Sequence, residues 1–140
     1  MYPPRGSADA YRSAAIHSGV ELPPERKLAL LLGGIIDRLK VAESQIQNGQ
    51  MAEKLRTIDS VLTILEALQA SLDFESGGAI AEQLSSVYTT AEAQLVQANA
   101  GNDVAKLQSV IRLLTPIREA FQQISVPTAP ADGADEPRRG

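Results

Sequence analysis

Catalysis by a small chain needs a nucleophile, a general base or a set of metal ligands, and this one offers few of them. His17 is its one histidine, and there is no cysteine. A thiol nucleophile, a disulfide framework and a zinc–thiolate site are therefore excluded. A metal centre between helices uses inward carboxylates with Glu-x-x-His spacing, and the sequence has no such pattern. Asp37, Glu43, Glu53, Asp59, Glu66, Glu82 and Glu92 fall mainly off the apolar stripes and read as solvated faces. The pair Gly77 and Gly78 is no phosphate loop, because no strand precedes it and no Lys-Ser or Lys-Thr follows. No catalytic residue, metal or cofactor is expected, and the chain reads as a non-enzyme.

Charge narrows the field further. Thirteen basic residues oppose seventeen acidic ones, a net charge of −4. The basic residues come as isolated pairs (Arg26 and Lys27, Lys54 and Arg56, Arg138 and Arg139), which read as solvated surface and not as a stripe tracking phosphates. The longest apolar run, Leu28 to Ile36, is far short of the roughly 20 residues that cross a bilayer. A soluble, cytoplasmic protein is expected.

The elements that position these residues are helical. Hydrophobic residues make up 44% of the 140, yet aromatics only 4%. A core of Leu, Ile, Val and Ala favours helix over strand. Four blocks carry apolar residues at alternating steps of three and four, the repeat of one helix face. The first, after Pro23 and Pro24, holds Leu28, Leu32, Ile35, Leu39, Ala42 and Ile46, and Asn48–Gly49 supplies a left-handed stop. The second holds Leu55, Ile58, Leu62, Leu65, Leu68 and Leu72. The third holds Ile80, Leu84, Val87, Ala91, Leu95 and Ala98. The fourth, behind cap residues Asn102 and Asp103, holds Leu107, Val110, Leu114, Ile117, Phe121 and Ile124. The spacing predicts helices over about 24–48, 51–72, 78–99 and 103–125. Each would be roughly 30 Å long, and their short connections call for an all-α, antiparallel, up-down-up-down four-helix bundle over 23–125. Residues 1–22 read as a flexible leading segment with a short helical stretch, and the proline-rich 126–140 as a disordered tail.

Two features break helix rules. Gly33 and Gly34 cost about 1 kcal/mol each relative to alanine; they suit either a close helix–helix approach or a shallow spot in a binding groove. Pro116 removes a hydrogen bond to the Arg112 carbonyl, which predicts a kink there or a break after Leu114. The first two helices also carry apolar stripes wider than the arc of a little over 100° that a simple bundle needs. The surplus suits a larger core, a self-associating structural bundle, or a groove for another protein's helix.

The ordered motifs resemble one family, the FliS flagellar secretion chaperones. Ala10, Tyr11 and Arg12 resemble its N-terminal Ala-Tyr. Pro24 and the Leu30–Leu32 run, followed by Leu39 and Ala42, are similar to its first helix. Leu72, Asp73, Gly77, Gly78, Ile80 and Ala81 resemble its central signature. Leu84, Val87, Tyr88, Leu95, Ala98, Asn99 and Asp103 follow in order, and Ile117 to Phe121 is similar to a Leu-Arg-Glu-Ala-Trp ending. Leu32 and Gly33 stand where the family has Tyr-Asp, Thr90 where a second aromatic is common, and Phe121 where it has Trp.

The resemblance implies a cytosolic export chaperone. Its partners would be the disordered C-terminal segment of flagellin, which is kept from premature polymerisation, and the export gate protein FlhA. The chain itself would be a monomer or weak homodimer. By the same resemblance Tyr11 and its segment fold over the groove and also affect the export-gate contact. Tyr11, Leu28, Leu31, Ile35, Ile58, Leu62, Leu65, Tyr88 and Leu95 are the candidate partner-binding residues. A regulator that uses the groove for a non-flagellin client is the remaining alternative.

Overall fold

The computed structural model describes residues 23–125, which form four helices. They are α1 (Pro24–Gln47), α2 (Met51–Ala70), α3 (Phe74–Gly101) and α4 (Val104–Ser125). The periodic residues are buried or packed against the core, except Leu55, Ile80 and Ile124, which are exposed. In α1 these are Ala29, Leu32, Ile35, Ile36, Leu39 and Ala42. In α3, Ala81, Leu84, Tyr88, Ala91, Leu95 and Ala98 alternate steps of three and four, so one face of the helix meets the core. Leu107, Val110 and Leu114 supply the face of α4.

The helix ends are set by local chemistry. After α1, Gly49 turns left-handed at φ 72°. Its N–H donates to the Ile46 carbonyl at 3.2 Å, and the Gln50 N–H reaches the Gln45 carbonyl at 2.8 Å. That pair of bonds occupies carbonyls the helix end would leave open. After α3, Asn102 takes φ 50° and the Asp103 N–H returns to the Ala98 carbonyl. The Asp103 carboxylate then accepts the Lys106 N–H at 3.2 Å and starts α4.

Two sequence expectations need correction. The third helix starts at Phe74, four residues before the predicted 78. Asp73 Oδ1 accepts the N–H groups of Glu75 and Ser76, both at 3.1 Å, and caps an extra first turn. Gly78, at φ 51° and ψ −126°, then interrupts the ladder before the main helix resumes. The break foreseen after Leu114 is also absent: α4 runs through Pro116 to Ser125. Pro116 and Arg112 are both exposed, so the carbonyl that loses its donor faces water, which satisfies it.

α1 packs on α2 and α4, and α3 packs on the same two, closing a ring. Cross-helix contacts fix the directions. Glu43 pairs with Gln108 and Gly33 lies beside Arg118, so α4 runs against α1. Lys54 meets Asn99, and Gln69 meets Ser85 and Thr89, so α3 runs against α2. These two pairs of helices are thus antiparallel. At the glycine pair, a Cβ on Gly33 would meet only the Arg118 side chain, Cδ at 3.6 Å. The notch therefore holds a side-chain stem and not a neighbouring backbone.

Candidate partner-binding surface

The core side of each helix is read from burial, and the neighbour-facing sides from the cross-helix contacts. Ile35, Ile58, Leu65 and Leu95 have no exposed surface, and Tyr88 has 1%. These five candidates lie inside the bundle, where a partner cannot touch their side chains while the helices stay packed. Leu28, Leu31 and Leu62 are half-buried against the core and keep an outward edge. Leu31 lies on the side of α1 away from α4, because Gly33, two residues on, faces Arg118. Leu62 lies seven residues before Gln69, on the side of α2 that faces α3. The three are split between two seams of the ring. Tyr11 lies outside the described residues.

The seam between α3 and α4 presents an apolar outer surface. Gln108 and Arg118 mark the side of α4 that faces α1, and Ser85, Thr89 and Asn99 mark the side of α3 that faces α2. The opposite sides meet each other. On α3 they present Ile80, Val87 and Gln94, one stripe at steps of seven; on α4 they present Leu113, Ile117, Ala120 and Ile124, at steps of four, three and four. Ile80 is 60% exposed and Ile124 64%, while Val87, Leu113 and Ile117 are half-buried. No charged residue lies on these two stripes. From Ile80 to Gln94 the seam is about 21 Å long, roughly four helical turns. Gln94 Oε1 is buried there without a hydrogen-bond partner. Such a surface can receive the apolar face of an amphipathic helix.

Sequence reading placed Ile80, Val87, Ile117 and Ile124 on core stripes and passed over Leu113. Its one available signal was the doubled apolar pair Leu113 and Leu114, which widens the stripe of α4 to one side.

Lys54 was also misread. It is 6% exposed, and its ammonium donates to the Asn99 carbonyl at 2.9 Å and to Asn99 Oδ1 at 2.8 Å. The Asp103 N–H bonds to Ala98 instead, so the lysine supplies the donor that Asn99 needs at the end of α3. A cation at a helix C-terminus also complements the negative end of its dipole.

Two titratable groups among the described residues have shifted pKa values, one through burial and one through a helix cap. Burial pushes the Tyr88 phenol up to about 12 and keeps it neutral. The Asp73 carboxyl is held below its usual range by the Ser76 backbone N–H, then the Ser76 side chain and the Glu75 N–H. Among the described residues no group of His, Asp or Glu could hold a metal ion. No described helix is long and apolar enough to cross a membrane.

Comparison with known proteins gives a consistent result. The family model "Flagellar protein FliS" matches residues 7–128. The flagellar secretion chaperone FliS of Vibrio cholerae is 32% identical over 121 residues, covering 86% of this chain and 89% of that protein. The flagellar secretion chaperone FliSB of Pseudomonas aeruginosa is 33% identical over 116 residues, 82% of this chain and 92% of that protein. The FliS of Salmonella typhimurium is 33% identical over 118 residues, 83% and 87% of the two chains.

Proposed function

Because the chain belongs to the FliS family of flagellar secretion chaperones, we propose that it binds the disordered C-terminal segment of flagellin in the cytoplasm, keeps it from premature polymerisation and assists its delivery to the export gate protein FlhA. The observation that carries the reading is the neutral apolar seam of Ile80, Val87, Leu113, Ile117 and Ile124. A disordered segment folding against it becomes an amphipathic helix that buries these side chains. Ordering that segment costs several kcal/mol, which holds the affinity below what buried area alone implies. Leu28 and Leu31 keep outward edges on another seam, and Tyr11 remains a candidate contact by resemblance. The bundle supplies a surface, with no reaction step and no cofactor.

Amide chemical-shift mapping with a synthetic flagellin C-terminal segment tests the site. Shifts should centre on residues 80–94 of α3 and 109–124 of α4, and Ile117→Asp should remove them. Shifts confined to other seams would place the contact elsewhere.

A further inference from the structure

The seam between α2 and α3 differs from the neutral one in its charge. The Lys54–Asn99 and Gln69–Thr89 bonds set its register. Along its outer edge α2 presents Leu55, Asp59, Leu62 and Glu66. Facing them, α3 presents Ser85, Thr89, Glu92 and Val96, again at steps of three and four. Leu55 is 47% exposed and Val96 58%, and Leu62, seven residues on from Leu55, is half-buried. Asp59, Glu66 and Glu92 flank this apolar strip, and no base pairs with their carboxylates among the described residues. α3 contains no lysine or arginine at all. α2 contains Lys54, whose ammonium is taken by Asn99, and Arg56, an exposed residue three positions before Asp59. Six carboxylates on α2 and α3 (Glu53, Asp59, Glu66, Glu75, Glu82 and Glu92) thus oppose two cations.

We propose that this seam is a second docking surface, whose occupant is an amphipathic helix of a partner protein carrying lysine or arginine on both flanks of its apolar stripe. The leucine and valine side chains supply the apolar contact, and the three carboxylates select the sign of the flanks. A second copy of the chain is a poor occupant, because the same face repeated would set carboxylates against carboxylates. The inference does not depend on which segment fills the α3–α4 seam, since that seam carries no charge to select with.

Two synthetic peptides of about 18 residues, five helical turns, test it. They share one leucine stripe; one is flanked by lysine and the other by glutamate. Each is titrated into the full chain by calorimetry, with amide shifts recorded in parallel. The lysine peptide should bind at least about tenfold more tightly than the glutamate peptide, with the preference shrinking as salt rises from 50 to about 500 mM. Its shifts should centre on residues 55–66 and 85–96. Asp59→Lys with Glu66→Lys, both at exposed positions, should reverse the preference while leaving the unfolding midpoint near that of the parent. Leu55→Ser keeps the carboxylates and should weaken binding of the lysine peptide. Equal binding of the two peptides, shifts elsewhere on the bundle, an unchanged preference in the charge-reversed variant, or dimerisation through this face would each overturn the proposal.

Discussion

Replacing Lys54 by methionine removes the ammonium and keeps most of the stem. Two charge-assisted bonds are lost, at 2.9 Å to the Asn99 carbonyl and 2.8 Å to Asn99 Oδ1. A hydrogen bond to a charged group contributes about 1.5–3 kcal/mol, and a buried carbonyl left without a donor costs about 1–3 kcal/mol. Against that, the folded state no longer desolvates an ammonium that is 6% exposed, which offsets several kcal/mol of the gross loss. The net expectation is a destabilisation of about 2 kcal/mol, seen as a melting temperature lower by about 6–8 °C. Asn99→Ala removes one of the two charge-assisted bonds, that to Oδ1, and should cost about 1.5 kcal/mol. The double variant should cost little more than Lys54→Met alone, because the ammonium is then already gone. Urea unfolding followed by far-ultraviolet circular dichroism measures all three, with unchanged denaturant slopes. A Lys54→Met variant as stable as the parent, or two single effects that simply add, would refute the clamp.

Three other outcomes follow from local geometry. Gly78→Ala puts a side chain at φ 51° and should cost about 1–2 kcal/mol, with amide exchange rising first in the turn that Asp73 caps. Pro116→Ala restores the N–H to the Arg112 carbonyl on an exposed face and should raise stability by up to about 3 kcal/mol, measured by the urea midpoint. For Tyr88 the folded pKa of about 12 lies above the ordinary phenol value of 10.0. Above pH 10 the unfolded chain gives up the phenolic proton while the folded one keeps it, so stability falls as pH rises from 10 toward 12. The urea midpoint of the parent should fall across that window relative to Tyr88→Phe.

Helix type and two of the joints were legible because they depend on neighbours in sequence. Alternating steps of three and four marked all four helices, and Asn48–Gly49 and Asp103 marked their joints. Lys54 shows where that reading stopped. It stands four residues before Ile58, on the buried stripe, yet its charge suggested solvent; the partner that makes burial tolerable, Asn99, is 45 residues away. The outcome at Pro116 was not legible for a related reason. Its cost depends on whether the freed carbonyl faces core or water, which only packing decides. The binding surface was the least legible part. Ile35 and Leu31 both sit on one stripe, but the ring of neighbours buries the first completely and leaves the second an edge. The apolar seam between α3 and α4 exists only once the two helices lie side by side.

The claim that the chain holds flagellin by its C-terminal segment rests most directly on one comparison of binding heats. Intact flagellin and flagellin lacking that segment are each titrated with the chain by calorimetry, at a concentration where light scattering shows no assembly. A saturable heat with intact flagellin and none with the truncated form is the expected result, with little change in the helix content of the chain. Equal heats from both forms, or no heat from either, would contradict it.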